Sequence, residues 1–136
     1  MEFVEFSLEG LDEFLVFFGL AVAFAAIFVF LYVKITPYNE LKLVREGNTA
    51  AAASLSGALI GFTVPLASSI IHSVHPWDMM IWAVIALLVQ LLVFVLVRFT
   101  LVNVTRRIPQ GEVASGVLLG AVSICAGILN AACMTY

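Results

Sequence analysis

The sequence predicts an all-α polytopic membrane protein: four transmembrane helices from a tandemly duplicated two-helix hairpin, with both termini extracytoplasmic. Three observations carry this. First, 63% of the 136 residues are hydrophobic and only 11% are charged, whereas soluble domains are about half apolar and roughly a quarter charged. A soluble core of this size could not hide so much apolar surface, so lipid is the natural solvent. Second, the uncharged residues gather in four runs long enough to cross a bilayer. Third, all six basic residues fall in two windows, Lys34 to Arg45 and Arg98 to Arg107. The positive-inside rule puts both windows in the cytoplasm.

The elements follow in order. Residues 1–9 mix Glu2, Glu5 and Glu9 with Phe3, Val4, Phe6 and Leu8, the composition of an interfacial segment. Asp12 and Glu13 add to this acidic start, and Lys34 follows the first apolar run. A signal peptide needs a positive start, so the first run is a retained helix with its N-terminus outward. Phe14 to Val33 would rise about 30 Å as a helix, the thickness of a bilayer core. Its many phenylalanines read as lipid-facing or packing surface, and Tyr32 suits the interface. Thr36-Pro37 ends the helix, because proline disfavours helical geometry before it. Tyr38 to Arg45 reads as a short surface helix. Ala50 to Ile71 is the second run, with Pro65 inside it. That proline frees a backbone carbonyl near Gly61, which must find another partner in lipid. His72 to Asp78 is a short outer turn flanked by interfacial Trp77 and Trp82. Met79 to Val97 is the third run, interrupted only by Gln90, and Arg98 is expected to snorkel from its end. After a second polar loop, Val113 to Tyr136 is the last run. The spans are expected at 11–34, 49–72, 78–100 and 112–134.

A shift of 64 residues lays the chain on itself without a gap. Phe30 falls on Phe94, Val33 on Val97, Lys34 on Arg98, Thr36 on Thr100, Asn39 on Asn103, Lys42 on Arg106 and Gly47 on Gly111. The turn glycine, the loop asparagine and the loop cations share one register. Residues 10–72 and 75–136 therefore read as two copies of one hairpin. Each copy crosses the membrane twice, so the repeat is parallel rather than inverted. The copies differ where Asn48 meets Glu112, Ala26 meets Gln90 and Pro65 meets Leu129.

Small residues dominate the second and fourth spans. Ala53, Gly57 and Gly61 recur at helical spacing, as do Gly116, Gly120 and Gly127. Lipid supplies no hydrophobic drive between helices, so close backbone contact is what holds them. These six positions are expected to pack spans two and four, within or between chains. Alternatively, part of these faces lines a narrow polar path, with Asn48, Ser56, Thr63, Gln90, Glu112, Ser123 and Asn130 along it or at its mouth. Gln90 lies deep and needs a hydrogen-bond partner. Glu112 sits at a helix start, where a negative charge favours the dipole, or forms a charged ring in an oligomer. Lys34, Lys42, Arg45, Arg98, Arg106 and Arg107 are expected as cytoplasmic loop charge.

Other chemistries find little support. No acidic or basic residue lies deep in any span, which argues against ion-coupled transport. His72, His75 and Asp78 are a thin donor set interrupted by Pro76, and are expected to be an interfacial turn rather than a metal site. Cys125 and Cys133 would stand about 12 Å apart on one helix, too far for a disulfide. No Ser-His-Asp arrangement, phosphate loop or paired carboxylate is present, so neither an enzyme nor a cofactor is expected. No broad basic face suits nucleic acid.

Two tandem hairpins, with Gly47-Asn48-x-Ala50-x-Ala52 followed by Ser56-Gly57-x-x-Ile60-Gly61-Phe62-x-x-Pro65-Leu66 in the first, carry a resemblance. Over residues 10–136 the chain resembles the YjfL family of bacterial inner-membrane proteins, whose repeat is a domain of unknown function (number 350). The second copy departs from the motif, with Glu112 for the asparagine and no proline. The resemblance implies an inner-membrane location. It implies no activity, and its members' association with membrane-stress proteins of the phage-shock type points to envelope maintenance. The leading expectation is a homo-oligomeric channel or permeation module. The alternative is a non-conducting scaffold that recruits a cytoplasmic protein partner through its basic loops. A small-solute transporter is a third option. Membrane lipids are the expected surroundings.

Overall fold

In the computed structural model, which describes residues 2–36 and 38–134 apart from the Phe3 side chain, every regular element is helical. The helices are α1 (Glu2–Ile35), α2 (Glu40–Arg45), α3 (Thr49–His72), α4 (Pro76–Thr100), α5 (Val102–Arg107) and α6 (Val113–Cys133). The four longer ones, α1, α3, α4 and α6, are long and apolar enough to cross a membrane.

Local chemistry sets the boundaries. α1 ends where the Thr36 amide and hydroxyl both donate to the Tyr32 carbonyl, just before a residue without an N–H. Asn39 caps α2 by accepting from the Lys42 amide at 3.1 Å, and Asn48 caps α3 by accepting from the Ala51 amide at 3.0 Å. Pro76 opens α4 behind a His75 cap. Gly47 and Gly111 have φ of 86° and 84°, a region that costs a side chain energy and glycine nothing. Each turns the chain into the next long helix.

α1 runs unbroken from Glu2 for 34 residues, about 51 Å, so residues 2–9, expected as an interfacial segment, are helical and continuous with the first span. Glu2 and Glu5 in the first turn favour the positive end of its dipole. Residues 4–16 are exposed.

Two kinds of packing hold the bundle. α3 and α6 run parallel and share by far the most extensive contact. A Cβ on Gly116 would strike the Ala50 carbonyl, one on Gly57 the Gly120 backbone, one on Gly61 the Ser123 carbonyl and one on Gly127 the Gly61 carbonyl. The glycine hydrogens thus point at carbonyl oxygens across the seam, a recurring Cα–H···O geometry. Any side chain there must push backbone apart, at a cost of about 1–3 kcal/mol. Pro65 is fully buried and leaves α3 continuous. It removes the amide that would reach Gly61, whose carbonyl lies against Gly127.

The other contact is aromatic. α1 lies on α3 and α4 rather than on α6. Phe28 stacks on Phe62 at 4.7 Å between ring centroids, and Tyr32 tilts against Phe94 at 4.3 Å. Phe24, Leu66, Met79, Ala83 and Leu87 complete this core. Cys125 and Cys133 are free and exposed.

Candidate functional site

The main concentration of buried polar groups lies where α1, α2, α3 and α4 meet at the loop end of the bundle. Tyr32 is fully buried, because the α1 register aims it at α3 and α4. Its hydroxyl donates to Glu40 Oε1 at 3.2 Å and lies 3.1 Å from Ser54 Oγ. Thr36 Oγ1 lies 3.3 Å from Glu40 Oε2. α2 packs against α3 and so brings Glu40 inward, leaving it 0% exposed.

Arg98 enters from α4. It does not snorkel from the helix end: the side chain turns inward and is 9% exposed. Its guanidinium lies 4.3 Å from the Phe94 ring, 5.3 Å from Tyr38 and 5.9 Å from Tyr32. Cation–π attraction to this ring cage holds the charge where lipid or water would otherwise be its surroundings. Nη2 donates to the Tyr38 hydroxyl at 3.4 Å and stands 4.0 Å from Glu40 Oε2. Nε and Nη1 are buried without a hydrogen-bond partner among the described residues.

Burial pushes the Glu40 carboxyl up to about 7, and the Arg98 charge and the bonds from Tyr32, Thr36 and Ser54 pull against it. An ion pair at the 4.0 Å limit does not offset desolvation of a fully covered carboxylate. Burial also raises the Tyr38 phenol, with Arg98 opposing. The arrangement is a proton-binding carboxyl beside a permanent cation. Sequence reading missed it. Glu40 read as part of a short surface helix, and no period marked Tyr32, Ser54 and Arg98 as neighbours. The one available signal was Arg98 aligned to Lys34 beside an aromatic-rich stretch.

The expected polar path divides in two. Gln90, Ser123 and Asn130 face into the bundle. Gln90 Nε2 donates to the Ser123 carbonyl at 3.0 Å, while Gln90 Oε1 and Asn130 Nδ2 have no partner among the described residues. Ser123 Oγ bonds back to the Leu119 carbonyl. Ser56 and Thr63 point outward from α3, with the Thr63 hydroxyl bonded to the Leu59 carbonyl. The two sets do not meet within one chain. Asn48 belongs to neither. Its Nδ2 donates to the Ile108 carbonyl at 3.0 Å, clamping one turn to the other. Glu112 opens α6 without a side-chain cap bond and pairs with Arg107 at 3.6 Å on the surface.

Ala53, Gly57, Gly61, Gly116, Gly120 and Gly127 all lie along the α3–α6 seam. Of the loop cations, Lys34, Lys42, Arg45, Arg106 and Arg107 are exposed. His72 bonds to the Ser68 carbonyl and His75 caps α4. Among the described residues no group of three or more His, Cys, Asp or Glu could hold a metal.

A four-span helical protein with a glycine-packed parallel seam, a ring-caged arginine and a buried carboxyl is an integral membrane protein. The Domain of Unknown Function family DUF350 matches residues 6–134, and the chain belongs to that family. It is 42% identical over 129 residues to the UPF0719 inner membrane protein YjfL of Escherichia coli strain K12, covering 95% of this chain and 98% of the relative. The same figures hold for the YjfL protein of Escherichia coli O157:H7. No solved structure matches. The protein is accordingly an integral inner-membrane protein.

Proposed function

We propose that the protein is a homo-oligomeric permeation module whose path forms between copies along the outward face of α3. One observation carries this reading. Ser56 and Thr63 stand seven residues apart on that face with Ala67 beyond them, and no helix of the same chain covers them. The outward surface of α1 is instead Phe14, Leu15, Phe18, Val22 and Phe30, the composition that lipid favours. Ile60 and Ile71 are exposed on the same face, and the hydroxyls and small side chain beside them suit close helix contact or a narrow wet path.

This reading includes a topology. The two halves are tandem copies of one hairpin inserted in the same direction, with the basic turns cytoplasmic and both termini outside. The matched φ of Gly47 and Gly111 and the clustering of cations at the turn end support it.

The test is flux through the purified protein in liposomes. Ion or solute flux is expected, and Thr63→Leu should reduce it while leaving the oligomer intact. Absence of flux across varied ions, lipids and voltages would count against the module. A second reading then gains: exposed Lys42, Arg45, Arg106 and Arg107 would recruit an acidic cytoplasmic partner to a non-conducting scaffold.

A further inference from the structure

A groove of about 460 Å³ opens beside the ring-caged arginine, within the range of about 300–1,000 Å³ typical of small-molecule sites. Ile35, Val95, Phe99 and Val102 form its apolar walls, and Arg98, Arg106 and Thr105 supply the polar groups. It lies where α1 and α4 end and α5 begins, the depth at which a bilayer passes from acyl chains to headgroups. Arg98 is more than nine-tenths buried, and two of its three guanidinium nitrogens lack a hydrogen-bond partner among the described residues. Its one acidic neighbour stands at 4.0 Å on the same nitrogen that bonds Tyr38. The α5 cation Arg106 is exposed on the other side of the groove and has no ion pair among the described residues.

We infer that this groove is a binding site for a phospholipid of net negative charge, its headgroup phosphate drawn to Arg98 and Arg106 and an acyl chain laid along Ile35, Val95, Phe99 and Val102. Each half of the site answers to one half of the ligand. A free inorganic anion would leave the apolar walls without a purpose. A neutral acyl chain would leave the exposed Arg106 guanidinium without an ion pair among the described residues. Basic pockets at the ends of membrane helices attract anionic headgroups because low dielectric strengthens the attraction while the charge on each side offsets the other's desolvation. Short α5 completes the site: it is the element that carries Arg106 and Val102 across from α4.

The test uses the full chain in detergent, titrated with phosphatidylglycerol, phosphatidylcholine or inorganic phosphate and read by native mass spectrometry. One phosphatidylglycerol is expected to remain bound at a concentration about tenfold lower than phosphatidylcholine requires. Arg106→Gln, an exposed change that leaves the core untouched, should erase that preference, and Arg106→Lys should keep most of it. Val102→Trp should fill the groove and lower retention of both lipids. Equal retention of the two lipids, displacement of phosphatidylglycerol by millimolar phosphate, or unchanged binding in Val102→Trp would each overturn the assignment.

Discussion

The two turns that join the long helices share a backbone and divide the chemistry. Gly47 and Gly111 take the same positive φ, and Asn48 and Glu112 follow them with φ −73° and ψ of 103° and 102°. Around the first turn stand Tyr32, Tyr38, Glu40 and Ser54. The 64-residue shift replaces them with Leu96, Val102, Val104 and Leu118. The cation is exchanged the other way: Lys34 of the first half is exposed against Phe30, whereas Arg98 is buried. One turn supplies the oxygens and the other supplies the charge. Neither half could hold this cluster alone, so backbone likeness and side-chain division together tie the halves to each other.

The comparison can be broken at the cations first. Arg98→Ala should lower stability by about 3 kcal/mol or more, through a lost buried partner and lost ring packing. Lys34→Ala, at the matching exposed position, should stay within about 0.5 kcal/mol. Unfolding in detergent measures both, and equal effects would remove the asymmetry between the turns.

The next effect is carried by pH. The Glu40 carboxyl is raised to about 7 in the folded chain from an ordinary value of 4.5. The folded state therefore binds its proton more tightly than the unfolded state. Its contribution is fully present below about 4.5, falls as pH rises toward 7 and levels off above that, on the order of 3 kcal/mol in all. Glu40→Gln should flatten this part of the curve. A wild-type curve that rises over the same window, relative to the variant, would reverse the sign and sink the reading of a buried proton-binding carboxyl.

The smallest difference sharpens the comparison at the caps. Asn48 caps α3 and also reaches the Ile108 carbonyl, so Asn48→Ala should cost about 1–2 kcal/mol. Among the described residues Glu112 makes a surface ion pair and no side-chain cap bond, and Glu112→Ala should change stability by less than about 1 kcal/mol. Thermal midpoints of the two variants check the order.

Much of the frame was legible because its causes are local. A bilayer demands long uncharged helices whatever they pack against, so four runs gave four spans. The capping asparagines, the Thr36-Pro37 stop and the turn glycines act within a few residues of themselves. The missed features are those that need a neighbour. Tyr32 and Arg98 each look interfacial alone, since an aromatic and a cation at a span end commonly are. Only their convergence with Glu40 makes them a buried cluster. Ser56 and Ser123 look alike in sequence, yet helix rotation sends one outward and the other into the bundle.

The sequence by itself determined that this protein lives in a membrane, how many of its helices are long and apolar enough to cross it, where its helices stop and which helices can approach closely. Those outcomes depend on hydrophobicity, backbone hydrogen bonding and side-chain size, which each residue carries with it. Tertiary structure alone decided that α1 packs on α4 rather than on α6, that the α2 glutamate is buried and that an arginine from one half completes the polar cluster of the other. Those outcomes depend on distances between residues far apart in the chain, set only when aromatic and glycine surfaces have packed.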